Sequence, residues 1–339
     1  MLRKFTGAAI VCTVAYGVAA PAAAADVTLR FSHFWPAVST THKDLFQVWA
    51  DKVKQDSNGR IAVDIYPSQT LAKAPAQYEA VKSRIADMAA TVQGYTANRF
   101  PLTQVVELPG VVDNAAHGSC IIQSLYEEGL IADEYKDTRP LFMFTHGPGH
   151  LHTTSKAITS PDDLAGLRIR RPTAVVAKIL EEVKAQPVGM PAPESYQAMQ
   201  RGTIDGVSLP WEGAHAFRLN ELAKHHTEVG LYTLSFIVTM NKELYEGLPA
   251  DLKKVIDDNS GKAWTTLAAK VFDDLDTEGR AAAVKAGHQI VTIEGGAKNP
   301  AWQPVVERAT EAYLAEVEGQ GLPARKVYAR ALELAQTCR

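Results

Sequence analysis

The stretch "GLRIRRP" at 166–172 sets three guanidinium groups, Arg168, Arg170 and Arg171, within four positions. On a strand, a spacing of two sends Arg168 and Arg170 to one face and Arg171 to the other. Arginine is seldom buried without an anion, and its planar donor array meets a carboxylate or phosphate at two points. A second group, "THGPGHLHTTSK", brings His146, His150 and His152 within seven residues. Three imidazoles are chemically sufficient for zinc with an open fourth position. The helical His-Glu-x-x-His spacing is absent, however, and no acidic residue lies in the run. A histidine that hydrogen-bonds a ligand in a cleft is therefore the stronger expectation. The chain has no nucleophile elbow and no Gly-rich phosphate loop. Asp162–Asp163 and Asp257–Asp258 read as helix starts or solvated helix faces. No catalytic residue and no cofactor is expected.

The elements that must position these side chains repeat. "VTLRFSHF" (27–34), a helix over 40–57, "IAVDIYP" (61–67), a helix carrying Tyr78 and Val81, and "ADMAATV" (86–92) alternate as β-α-β-α-β. The order returns with "GLRIRRP", a helix over 173–185, "PVGMP" (187–191), a helix over 194–202 and "IDGVSLP" (204–210). Even the texture recurs, "SRIADM" at 83–88 against "RGTIDG" at 201–206. Two similar α/β lobes are expected, with a cleft beyond the carboxyl ends of their strands. One doubly wound sheet is the alternative. A helical pattern from Ala250 to Gly287, with Gly261 and Gly279 as its weak points, is long enough to bridge the lobes. A strand at 288–293 and helices near 300–318 and 323–336 complete the chain.

Residues 1–25 read as a cleaved secretory signal: Arg3 and Lys4, a short apolar run, then "AAAAD". That run is shorter than the roughly 18–20 residues of a membrane span. A periplasmic location follows. Without Arg3 and Lys4 the 35 basic residues fall to 33 against 38 acidic ones, and no basic face suggests nucleic acid. Hydrophobic residues make up 46% of the chain, enough for well-formed cores. Cys120 and Cys338 remain, and an oxidising compartment permits a disulfide that the sequence cannot settle. His225 and His226, beside Lys224, read as exposed. Trp49, Tyr78, Trp264 and Phe272 have core spacing. Phe34, Trp35, Tyr95 and Trp211 fall at or just past strand ends, where a cleft opens.

Seven segments then carry a family resemblance. They are His33 in an early strand, "NGRIAVDIYPSQTL" (58–71), "RIADMA" (84–89), "ELPGVV" (107–112), "SPDDLAGLRIRRP" (160–172), "QPVGMPAPESYQAMQRGTIDGVSLP" (186–210) and "LPADLKKVID" (248–257). In this order they resemble the DctP-like solute-binding proteins of tripartite ATP-independent periplasmic (TRAP) transporters. The resemblance implies an α/β, two-lobed periplasmic binding protein, with a cleft between the lobes and a long lobe-bridging helix. It also implies a partner permease in the membrane and an arginine that pairs with the ligand carboxylate, here Arg170. Lobe I is expected over 26–148 with 236–276, and lobe II over 149–235 with 277–339. Two departures stand out. The family's second arginine aligns near His150, and its Asp-Gly-x-Glu-Asn-Pro becomes "DGVSLP", followed by Trp211. Both changes remove polar handles. The expected ligand is therefore an aromatic monocarboxylate held by Arg170, with Phe34, Trp35, Tyr95 and Trp211 around its body and His33, His150 or His152 at its distal end. A C4-dicarboxylate or a 2-oxo or 2-hydroxy acid is the alternative ligand, and a zinc-dependent periplasmic hydrolase is the alternative class. A monomer is expected.

Overall fold

The computed structural model describes residues 25–338; the expected signal segment lies outside them apart from Ala25. β1 (Val27–His33), α1 (Val48–Asp56), β2 (Ile61–Tyr66), α2 (Gln77–Lys82) and β3 (Met88–Val92) follow the expected alternation. A π-helical turn, Thr41–Gln47, leads into α1. Next come α3 (Ala115–Glu127), β4 (Thr138–Thr145), β5 (His150–Thr153), β6 (Arg168–Arg171), α4 (Ala174–Glu182), β7 (Gln186–Gly189), α5 (Ser195–Gln200) and β8 (Gly206–Leu209). The chain continues through α6 (Trp211–Ala216), β9 (His225–Glu228), β10 (Ser235–Asn241), α7 (Lys242–Gly247), α8 (Ala250–Asp258) and α9 (Lys262–Lys285). It ends with β11 (Gln289–Thr292), α10 (Gln303–Gly319) and α11 (Ala324–Thr337).

Two sheets form, β2-β1-β3-β10-β4 and β11-β9-β5-β8-β6-β7, so the doubly wound alternative does not hold. Parallel pairs come from the crossover units: β1 with β2 and β3, and β6 with β7 and β8. The central antiparallel strand of each sheet follows a crossing of the chain from one lobe to the other. β5 is reached from β4, and β10 returns from β9. Predominantly apolar runs such as Met88–Val92 and Ser235–Met240 are buried on both faces, as a sheet flanked by helices requires.

The helical pattern expected from Ala250 to Gly287 is two helices. Gly261 has φ +69°, and its N–H donates to Leu141 O at 2.7 Å, which ends α8 against β4 and starts α9 afresh. Gly279, the other expected weak point, is a regular residue inside α9. A Cβ there would stand 2.4 Å from Trp211 O, so glycine lets α9 lie against α6. α9 packs on α3 and β4 of the first sheet and on α6 of the second. Two of its carboxylates reach helix N-termini on opposite sides. Asp273 accepts from Ala115 and Ala116 N–H at 2.7 and 3.0 Å, and Asp276 accepts from Glu212 N–H at 2.7 Å. The free amides and positive end of each short helix are met by negative charge.

Cys120 and Cys338 are bonded, which joins α11 to α3. α10 packs on α4 while α11 packs on α3, so the C-terminal pair spans both layers. Among the described residues no helix is long and apolar enough to cross a membrane.

Candidate functional site

The three arginines of β6 go to three different places. Arg168 is fastened to Asp205, the residue before β8. Its backbone N–H, Nε and Nη2 donate to the Asp205 carboxylate at 2.8, 3.0 and 2.7 Å. Those bonds hold the Asp205 carboxyl below its ordinary range. Arg171 lies over Gly189, where a Cβ would come within 2.9 Å of its Cζ. Arg170 is completely buried.

Arg170 is held by neutral oxygens only. Nε donates to Met190 O at 3.0 Å, Nη1 to Ser208 O at 3.0 Å and Nη2 to the Tyr95 hydroxyl at 3.1 Å. No carboxylate among the described residues lies within 4.0 Å of it. A guanidinium has five N–H groups, so two stay uncommitted, one on each terminal nitrogen. Two N–H groups on neighbouring terminal nitrogens are enough donors for one carboxylate. Isolated buried charge is strongly unfavourable, so an anion from outside the chain is the natural complement.

Tyr95 is where the lobes meet. It stands at the end of a 3-10 turn, Gln93–Tyr95, that continues β3, and its hydroxyl also accepts from Ala192 N–H at 3.0 Å. Phe34 lies 5.6 Å from the Tyr95 ring and stacks on Trp35 at 3.9 Å with 19° between planes. Trp35 packs on Phe236 at 5.6 Å, and Phe236 lies 5.8 Å from His146. His146 meets Tyr232 edge-on at 5.7 Å. Burial lowers the His146 pKa to about 3, with Arg170 adding to the effect, so the ring is neutral. Burial raises the Tyr232 pKa, and that hydroxyl lies toward Arg170 and Ser208.

Polar atoms without partners gather around this enclosure. They include His146 Nε2, Tyr232 Oη, Thr173 Oγ1, Gln104 Oε1 and Glu107 Oε2. Burial raises the Glu107 carboxyl to about 7, against two hydrogen bonds from Ser235. Phe34 also lines a cavity of about 250 Å³, together with Gln69, Tyr196, Phe217 and Arg218. Arg170 is not among its lining residues.

Of the residues expected at the site, the structure brings Arg170, Tyr95, Phe34 and Trp35 together. His33 is buried beside them but spends Nε2 on His42 Nδ1 at 2.9 Å, and burial lowers its pKa to about 3. His150, His152 and Trp211 form a separate cluster. The Trp211 indole N–H donates to Glu228 at 3.0 Å, and its ring packs on His152 at 5.1 Å and His226 at 4.7 Å. His152 Nδ1 meets His226 Nδ1 at 2.7 Å, and Nε2 lies 3.0 Å from Leu209 O. His226, expected at the surface, is fully buried. Strand pairing puts it directly opposite His152 on β5, with His288 Nδ1 at 3.0 Å on its other side. Among the described residues no three His, Cys, Asp or Glu side chains converge as a metal site, so the zinc alternative lacks its ligand set. Tyr232, Glu107, Thr173 and Phe236 were not legible as site residues, although Glu107 opens the "ELPGVV" segment.

A model of the bacterial extracellular solute-binding proteins, family 7 (DctP), matches residues 31–316. The chain belongs to this family. DctP-family proteins bind small solutes for TRAP permeases. A marine-metagenome TRAP solute-binding protein specific for aromatic acid ligands, solved with metahydroxyphenylacetate, is 36% identical with a TM-score of 0.88, over 92% of this chain and 99% of that one. A TRAP solute-binding protein from Rhodoferax ferrireducens, solved with copurified benzoate, is also 36% identical, with a TM-score of 0.86 over 92% and 98%. The C4-dicarboxylate-binding periplasmic protein DctP of Rhodobacter capsulatus is 25% identical over 93% of this chain and 96% of its own.

Proposed function

We propose that this protein captures an aromatic monocarboxylate in the periplasm as a monomer and delivers it to a TRAP permease, without bond chemistry. The observation that carries the proposal is Arg170: a buried guanidinium with two free N–H groups, no acidic partner among the described residues, and aromatic rings around it. The carboxylate takes the free pair, and Phe34, Trp35, Tyr95 and Phe236 supply the walls for a ring. Aromatic contacts add about 0.5–1.5 kcal/mol each beyond area burial. The two 36%-identical relatives were solved with aromatic acids, which supports the same ligand class here.

A dicarboxylate needs a second cation. The position expected to supply one holds His150, which burial lowers to about 4, against the opposite pull of Glu228. It is neutral at periplasmic pH and committed to Gly230 N–H at 3.3 Å. A small 2-oxo or 2-hydroxy acid ranks after the aromatic class. Titration calorimetry of benzoate and hydroxybenzoates against succinate and malate tests the choice. Tight succinate or malate binding with none for aromatic acids overturns it.

The lobe division at 26–148 with 236–276 and 149–235 with 277–339 remains part of this proposal. Closure then brings Tyr95 of lobe I onto Arg170 of lobe II, a contact that favours the closed state together with the ligand. Solution scattering should show a smaller radius of gyration at saturating ligand; an unchanged curve counts against a closing cleft.

A further inference from the structure

Three residues past Arg170, Thr173 faces the first lobe across the gap left by Gly94. A Cβ on Gly94 would stand 2.4 Å from Thr173 Cγ2 and 3.1 Å from Gln104 Oε1. Gln104 belongs to the 3-10 turn Thr103–Glu107. At three residues per turn, Gln104 and Glu107 project from one face of it. Both are buried, as is Thr173. Glu107 Oε1 accepts from Ser235 N–H at 3.2 Å and Oγ at 2.8 Å. Oε2 lies toward the Thr173 hydroxyl, yet neither atom completes a hydrogen bond. Gln104 turns its amide N–H₂ to Phe100 O at 3.4 Å, which leaves its Oε1 free. The buried Tyr232 hydroxyl has no hydrogen-bond partner either, and the charges of Arg170 and Glu107 both act on it.

The inventory is lopsided. The free atoms at this end are a carboxyl oxygen, an amide oxygen and two hydroxyls. The amide oxygen only accepts, and the Glu107 carboxyl, raised to about 7 by burial, only accepts in its ionised form, so above that pH acceptor capacity exceeds donors. A benzene ring has nothing to donate to it. A closed site would leave Glu107 Oε2 unmatched around such a ligand, and buried unmatched polar groups discriminate strongly against ligands that fail to pair them.

We infer that Glu107 reads a hydroxyl at the end of the ligand remote from the carboxylate, so that the preferred solute is a hydroxylated aromatic acid. The hydroxyl donates to Glu107 Oε2 while Gln104 and Thr173 complete its surroundings. This rests on the aromatic-acid reading above and adds a residue that sets preference within that class.

The test is calorimetry of benzoate, 3-hydroxybenzoate and 4-hydroxybenzoate on the wild type and on Glu107→Gln, which turns an acceptor into a donor. The readout is the ratio of affinities rather than either affinity. At least one hydroxybenzoate should bind the wild type tenfold or more tighter than benzoate, and the ratio should fall to within threefold of unity in Glu107→Gln. A wild-type ratio near unity overturns the inference and leaves the aromatic reading standing, even if the variant does not fold. A large ratio that survives in Glu107→Gln overturns the role of Glu107. No binding of any of the three acids overturns the aromatic reading and this inference with it.

Discussion

Laid over each other, the two sheets have the same plan. β2-β1-β3-β10-β4 of one matches β7-β6-β8-β5-β9 of the other, and β11 is the single addition. In each, an arginine on the first strand is fastened by the aspartate that precedes the third. Arg30 gives its N–H, Nε and Nη2 to Asp87 at 2.9, 2.9 and 3.0 Å; Arg168 does the same to Asp205 at 2.8, 3.0 and 2.7 Å. The backbone answers identically, with Asp87 N–H to Arg30 O at 2.9 Å and Asp205 N–H to Arg168 O at 2.8 Å. Two residues further along, the lobes part. Lobe I has Ser32 and lobe II has Arg170, both fully buried. The brace belongs to the scaffold, and a buried charge without an acidic partner stands on one copy of it. A repeated motif thus marks structure, and the departure from the repeat marks the candidate site.

Fastening is also unequal, and the largest expected effect lies there. The Cys120–Cys338 bond spans 218 residues and ties the chain end to α3. Cys120→Ser/Cys338→Ser should lower unfolding free energy by about 3–4 kcal/mol in denaturant melts, with little change in ligand affinity. A loss below 1 kcal/mol would mean that packing of α11 alone holds the end.

The comparison at Ser32 and Arg170 comes next. Arg170→Ala should weaken binding about 100-fold, equivalent to roughly 2.7 kcal/mol, while circular dichroism shows a folded protein. Arg170→Lys should recover part of the loss, because charge returns without the two-point geometry. Ser32→Ala should move affinity less than twofold. Equal effects of the Ser32 and Arg170 variants would erase the contrast between the lobes.

The two braces should differ modestly. Asp87→Asn should cost about 1–3 kcal/mol and Asp205→Asn less, since the Asp87 side chain is 6% exposed and that of Asp205 29%. Asp205→Asn alone should also weaken ligand binding, because it loosens the strand that carries Arg170. The reverse order in chemical denaturation would sink the burial argument.

The smallest effect is a pH dependence. For Asp87 burial acts to raise the pKa, but the Arg30 bonds outweigh it; for Asp205 the Arg168 bonds dominate; both carboxyls end below the ordinary 3.8. A carboxyl held low in the folded state adds stability above about pH 4 and loses it as pH falls further. Wild type and the two asparagine variants should therefore converge in acid. A stability gap that persists at pH 2–3 would assign the braces to packing rather than charge.

How far the site could be read from residues alone follows from what periodicity measures. The β-α-β-α-β order, the recurrence of "SRIADM" in "RGTIDG", and the singling out of Arg170 among the three arginines of one strand were legible, since each lies within one element or one motif. Trp211 was misplaced for a definite reason. It is the first residue of α6, and each helical residue turns about 100°, so a one-residue uncertainty in where the helix begins swings the ring from the cleft to the histidine cluster. His226 looked exposed beside Lys224 and is buried, because only the pairing of β9 with β5 sets it against His152. The break at Gly261 needed β4 as well, since Leu141 O takes the amide that a continuous helix would have used.

By itself the sequence determined the lobes' strand-and-helix grammar, the family, and which arginine falls at the position the family motif singles out, Arg170. These are local properties of spacing and residue type. Tertiary structure alone decided that Tyr95 crosses from one lobe to hold Arg170 on the other, and that Gln104 and Glu107 face Thr173 over Gly94. It also decided that Cys120 meets Cys338. Each of these joins residues scores to hundreds of positions apart, and no repeat along the chain encodes which distant surfaces close on one another. Burial and hydrogen-bond matching across the cleft choose them.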